Sequence, residues 1–319
     1  MKKLWPWLRL VLALGILVAL GVRLGTGAFV DGLRAIDAFS VAAALAIGLV
    51  TTVLSAGRWV IVARRLGLPL TLRTAVSDYY RAQLVNAVLP AGVLGDVHRA
   101  VNHGRESGDV GRGVRAVFFE RTAGQIVLIG IGLAVLLTHP APGLDLAPDG
   151  TTVALVLAGL AVLVAVGWHI RPVRRALVNT LADGIRLLSF KTWPAVVGLS
   201  AATVAGYVAM FLVAARAAGS DATVTQLAPV VVLALLIMAI PVNIGGFGPR
   251  EAFLAVAFGA AGLGAAQGFT TGIVYGVLAL IAALPGAVVL FLSRRKTEKL
   301  QVVTEGLGQP REQELALAR

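Results

Sequence analysis

The sequence predicts an all-α, polytopic integral membrane protein, and three observations carry that prediction. Hydrophobic residues make up 58% of the 319-residue chain and charged residues 14%, against about 25% charged in a soluble domain. Mean hydropathy is +0.86. Apolar runs of the length a bilayer needs, about 17–25 residues, recur along the chain. Cysteine is absent, which excludes disulfides, thiolate zinc sites and cysteine nucleophiles. The four histidines are scattered, so neither a histidine-built metal site nor any other cofactor is expected.

The first apolar run, 8–24, follows Lys2 and Lys3. It starts like a signal peptide but shows no clear small-x-small cleavage site, so it reads as an uncleaved anchor. The second run is 39–62, and an interrupted stretch, 72–101, comes next. Further runs follow at 117–137, 151–168, 194–215, 227–240, 250–264 and 268–292. That makes eight spans beside the interrupted stretch, all within one transmembrane domain, 1–293. The remainder, 294–319, reads as a polar tail too short to fold alone. Glycine (37 residues) and alanine are frequent in the spans, where small residues let helices approach closely in lipid.

The formal net charge is +12. On a soluble protein this would point to nucleic acid, but no basic, aromatic-rich soluble module is present. The excess instead marks cytoplasmic loops and their attraction to anionic headgroups. With a cytoplasmic amino terminus, and the interrupted stretch returning to the side it left, seventeen Lys and Arg fall on inner segments. Only Arg23, Arg34 and Arg216 fall on outer loops. This asymmetry predicts a multi-pass protein of the cell membrane with both ends in the cytoplasm. Trp5, Trp7, Trp59, Trp168 and Trp193 all fall at inner span ends, where tryptophan anchors at headgroup level.

Two stretches break the pattern: YYRAQLVNAVLPAGVLGDVHR from Tyr79 to Arg99, and IPVNIGGFGPRE from Ile240 to Glu251. Each has a proline, then glycines, then an arginine near an acid. Proline removes a helix donor and glycine favours non-helical backbone, so both stretches should interrupt helices. Such backbone is tolerated at membrane depth only inside protein or beside a wet cavity. The runs 227–240 and 250–264 hold 14 and 15 residues, roughly 21–23 Å of helix against a ~30 Å hydrocarbon core. They fit two short tilted spans or a hairpin re-entering from outside. Interrupted segments in both halves of a chain point to a transporter-type binding site.

A helix starting at Pro249 or Arg250 would present free N–H groups and a positive dipole end to an anion. Arg250 adds a planar fork suited to phosphate oxygens. Gly245, Gly246 and Gly248 would let backbone approach a ligand, and Asn243 would donate or accept beside it. Glu251 would repel an anion unless paired or protonated. In the first break, Asp96 and Arg99 share one face of a helix starting near Val93. Arg81 and Asn86 precede the turn, and Glu120 and Arg121 open the next span. Ionisable groups at membrane depth are costly and usually functional. The plainer alternatives are a structural Asp96–Arg99 pair, an interfacial Glu120–Arg121, a snorkelling Arg81 and a simple loop at 245–251. His98 and His103 read as interfacial polar residues, and Tyr79 and Tyr80 fit interface anchors as well as site residues.

These residues resemble the lysylphosphatidylglycerol synthase transmembrane region, or flippase-like domain, family. Its pattern of Asn and Leu-Pro followed by Gly-Gly-Asp and Arg is matched by Asn86, Leu89, Pro90, Gly95, Asp96 and Arg99, with Leu94 where the first Gly is usual. Its Glu-Arg and following Gly are matched by Glu120, Arg121 and Gly124. Its late Pro, Gly-rich turn and Arg-Glu are matched by Pro241, Gly246, Gly248, Arg250 and Glu251. The resemblance covers most of the chain. It implies a role in moving lipids across the membrane, without the cytoplasmic aminoacyl-transferase domain of the two-part family enzymes. The expected function is therefore translocation of an anionic phospholipid or polyprenyl-phosphate glycolipid through a polar cavity between the two breaks. No enzymatic activity is expected. The partners would be membrane lipids and a lipid- or glycan-synthesis protein, not nucleic acid. An intramembrane transferase using Asp96 or Glu251 as base, or a scaffold for a membrane enzyme, stand as alternatives.

Overall fold

Asp37 begins the first long helix. Its carboxylate accepts the Ser40 N–H at 2.8 Å, and the Ser40 hydroxyl accepts the Asp37 N–H at 3.2 Å, a reciprocal cap on two orphan donors. The computed structural model describes residues 30, 32–88, 92–139, 171–187, 192–238 and 248–291. Among these residues the regular structure is helical throughout, and the protein is an all-α polytopic membrane protein. The helices are α1 (Ala38–Arg65), α2 (Leu72–Val88), α3 (Leu94–Glu106), α4 (Val110–Thr138), α5 (Arg171–Leu187), α6 (Trp193–Ala217), α7 (Val224–Met238), α8 (Pro249–Ala260) and α9 (Ala265–Ala283).

Four of the described helices are long and apolar enough to cross a bilayer: α1, α4, α6, and α9 with its continuation to Phe291. The expected spans 227–240 and 250–264 are the short helices α7, of 15 residues, and α8, of 12. At ~1.5 Å per residue neither reaches the ~30 Å core thickness. The expected spans 8–24 and 151–168, and the tail, lie outside the described residues.

α1 is the hub. It packs on α2, α4, α6 and α9, while α8 packs on α7 and α9, and α3 on α2 and α4. One apolar core lies among α6 to α9, around Phe211, Leu227, Leu254, Phe258 and Leu278. A second surrounds Trp59, Leu68, Tyr79, Val117 and Val196. Glycines set the closest approaches. A Cβ on Gly268 would strike the Leu254 carbonyl, so α8 and α9 touch there through backbone.

Three local expectations change. Residues 171–187, read as a loop, form the helix α5. Val178, Leu181 and Ile185 recur at helical spacing and are exposed, with Arg174, Arg175 and Arg186 on the same helix, the pattern of a helix lying in the membrane interface. Trp59, read as an interface anchor, is fully buried. Its indole meets the His103 ring edge-on at 5.4 Å, so His103 is also buried rather than interfacial. A one-dimensional pattern marks the end of an apolar run but not that α3 folds back to cover it.

Candidate functional site

α3 begins at the first break with no side-chain cap from its own N-cap residue, Val93. Asn86, near the end of α2, supplies one. Its Oδ1 accepts the Gly95 N–H at 2.7 Å and its Nδ2 donates to Asp96 Oδ2 at 3.0 Å. Asp96 thus sits in the first turn of α3, at the positive end of the helix dipole. A Cβ on Gly95 would strike the Ala82 carbonyl, so glycine is what lets the start of α3 meet the backbone of α2.

Asp96 and Glu120 organise three arginines. Asp96 Oδ1 accepts from Arg99 Nε at 2.8 Å, and both its oxygens accept from Arg121 Nη2 at 2.7 Å. Glu120 is fully buried. Its Oε2 accepts from Arg99 Nη2 at 2.7 Å. Its Oε1 accepts from Arg58 Nε and from the Tyr79 hydroxyl, both at 2.9 Å, and from Arg58 Nη2. Arg58 Nη1 donates to Ser200 Oγ at 2.9 Å, tying α6 to the network. The Arg99 guanidinium lies 4.3 Å from the Tyr79 ring centre and 4.6 Å from that of Trp59, within cation–π range. Three cations face two carboxylates, leaving one net positive charge. Arg99 Nη1 is buried with no hydrogen-bond partner among the described residues.

The second break has its own charged group. Gly248, at a φ of 107°, turns the chain into α8, a conformation that favours glycine. Glu251 Oε2 accepts the Gly248 N–H at 2.6 Å, and its Oε1 accepts from Arg250 Nε at 3.0 Å. The carboxylate of Glu251 therefore occupies the positive helix start itself. Arg250 is buried, 5.0 Å over the Tyr275 ring.

A cavity of about 280 Å³ is lined by Asn86 and Gly92 at the first break, by Thr51 of α1 and Gln83 of α2, by Met238 at the end of α7 and by Tyr275 of α9. Its polar groups are neutral. Each charged cluster reaches it through one neutral residue: Asp96 through Asn86, and Arg250 through Tyr275.

The structure thus joins Asn86, Asp96, Arg99, Glu120 and Arg121 in one network. It places Gly248, Arg250 and Glu251 in a second. Arg81 belongs to neither; it pairs with Asp78 at 3.3 Å and contacts Ser77. Asn243, Gly245 and Gly246 lie outside the described residues. Sequence reasoning missed Arg58, an arginine inside the apolar run 39–62, where an ionisable residue is itself a signal. It also missed Ser200 and Tyr275, neutral residues that carry no such signal.

The family profile of the lysylphosphatidylglycerol synthase TM region matches residues 7–287. The chain belongs to that family. No curated protein matches it, and no solved structure does. Membership makes this a membrane-embedded protein of the lysylphosphatidylglycerol synthase, flippase-like type. The chain's departure from the family pattern, Leu94, falls on the outward side of α3 at 46% exposure. The side chain takes no part in the network, and the tight contact belongs to Gly95.

Proposed function

We propose that this family member translocates lipid by passing an anionic headgroup through the cavity between the two breaks, with acyl chains left in the bilayer. The observation carrying this reading is the lining of that cavity. It includes Asn86, which bonds Asp96 of one arginine–carboxylate cluster, and Tyr275, whose ring lies under Arg250 of the other. Arg121, whose side chain is 44% exposed, offers the phosphate a first station. The buried unused donor of Arg99 offers a second bond of the charge-assisted kind. At the far station the phosphate competes with Glu251 for Arg250. Asp96 and Glu251 hold the arginines when no headgroup is present.

The protein acts in this reading without chemical conversion, in the cell membrane, with both termini cytoplasmic as the Lys/Arg asymmetry favours. A lipid- or glycan-synthesis protein would supply or consume the cargo. The test is translocation of headgroup-labelled lipids in proteoliposomes. The panel is phosphatidylglycerol, its lysyl form and a polyprenyl-phosphate sugar, with parent, Arg250→Ala and Asp96→Asn compared. Transport of one lipid by the parent, lost in folded variants, is the expected result. Transport of none, with both variants still complementing a deletion strain, would overturn the site. A new lipid species appearing only with the protein would move the reading to a transferase.

A further inference from the structure

A second lipid-shaped feature lies away from the cavity, at the basic start of α4, which the Arg115–Asp183 pair ties to α5. Here a polar pocket of about 270 Å³ is lined by Arg112 and Arg115 of α4 and by Asn179, Asp183 and Arg186 of α5. Arg115 Nε donates to Asp183 Oδ2 at 2.7 Å, Arg186 lies 3.5 Å from the same carboxylate, and Arg112 lies 3.4 Å from Asp109. Three guanidinium groups share two carboxylates. The pocket is net positive, and Arg112 and Arg186 keep side-chain exposures of 41% and 70%.

An apolar groove of about 410 Å³ runs beside it. Along α4 the lining changes from Arg112 and Arg115 to Phe118, Thr122 and Ile126. Along α5, Asn179 and Asp183 line the polar pocket, while Leu181 and Ile185 line the groove. Phe118, Ile126, Leu181 and Ile185 are all more than half exposed. The two pockets are therefore adjacent on both helices and follow the axis of a spanning helix. From residue 118 to 126 the groove descends ~12 Å along α4, close to one leaflet of a ~30 Å core.

We infer that this paired feature is a binding site for one anionic phospholipid, separate from the translocation path. The phosphate meets Arg112, Arg115 and Arg186, and an acyl chain lies in the groove between α4 and α5. Arginine suits the first half of the site because its planar fork takes two phosphate oxygens. The second half excludes a free phosphate as the natural occupant, because an apolar groove contributes only to a ligand with a hydrocarbon chain. Such a lipid would fasten the interfacial helix α5 to the bundle.

The test is native mass spectrometry of the full chain, delipidated in detergent and titrated with phosphatidylglycerol, with phosphatidylcholine of the same chains, or with inorganic phosphate. The parent should hold one phosphatidylglycerol about tenfold more tightly than phosphatidylcholine. The double variant Arg112→Gln/Arg186→Gln alters two exposed side chains and should remove that preference while leaving phosphatidylcholine binding unchanged. Thr122→Phe, which fills the groove, should weaken both lipids. Equal retention of both lipids by the parent would overturn the inference, as would an unchanged preference in the arginine variant. Displacement of phosphatidylglycerol by millimolar phosphate would overturn it too, by removing the groove's contribution. Lipid translocation in proteoliposomes should be unchanged in Arg112→Gln/Arg186→Gln, whose residues line this pocket and not the cavity, which keeps the site distinct from the translocation path.

Discussion

Replacing Glu120 by Gln tests whether the buried network holds the helices together. Glu120 is fully buried and accepts from Arg58, Arg99 and Tyr79. In the parent, three arginines face two carboxylates; in Glu120→Gln they face one. The amide retains one acceptor oxygen, but its NH₂ group points a donor at a cluster made of donors. Removing one partner of a buried ion pair costs about 3–5 kcal/mol, because the remaining charge is left uncompensated. For a domain of this size that lowers Tm by about 5–8 °C. Thermal unfolding in detergent, followed by circular dichroism, measures it. Asp96→Asn should cost less, since Asp96 retains 14% side-chain exposure and water can solvate what is lost. The double variant Arg58→Gln/Glu120→Gln should be less destabilised than the sum of the single variants, with a coupling of about 0.5–3 kcal/mol. A Tm for Glu120→Gln within about 1 °C of the parent would refute the reasoning, and so would strictly additive losses.

Gly95→Ala should destabilise by about 1–3 kcal/mol, because its methyl group meets the Ala82 carbonyl; Leu94→Gly, at an exposed position, should cost about 1 kcal/mol or less. Parent-like unfolding of Gly95→Ala would count against the contact between α2 and α3. Burial lowers the pKa of His103, so the unfolded chain takes up the proton first and stability falls as pH drops below about 6.5. His103→Phe should flatten that slope, and identical pH profiles would rule the effect out. The Ser40 hydroxyl and backbone N–H hold the Asp37 carboxyl below its ordinary pKa, so its contribution is present above about pH 3.9 and is lost as pH falls through the folded value. The Tm penalty of Asp37→Ala should therefore shrink below about pH 3.9; a pH-independent penalty would exclude a role for the charge. Arg121→Gln should reduce lipid translocation in proteoliposomes while leaving the fold intact; full transport would remove Arg121 as the first station.

The sequence by itself determined the class of this protein. Composition and run length are properties of the chain in one dimension, and a bilayer reads them as such: α1, α4, α6 and α9 lie where the apolar runs are. It also placed both breaks, because proline, glycine and free helix ends act locally. The start of α8 at Pro249 and the placement of Asp96 beside Arg99 followed from spacing alone. Tertiary structure decided the partners. Glu120 binds Arg58, Arg99 and Tyr79 across separations of 62, 21 and 41 residues, and no local pattern encodes such distances. Arg58 and Ser200 entered the network only when α1 and α6 packed against α4. Trp59 sits at the end of an apolar run, where a sequence reads an anchor, until α3 folds back and buries it under Arg99 and His103. Burying a charge requires a partner; the sequence shows which residues need one, and only the packed helices determine which partner lies within reach.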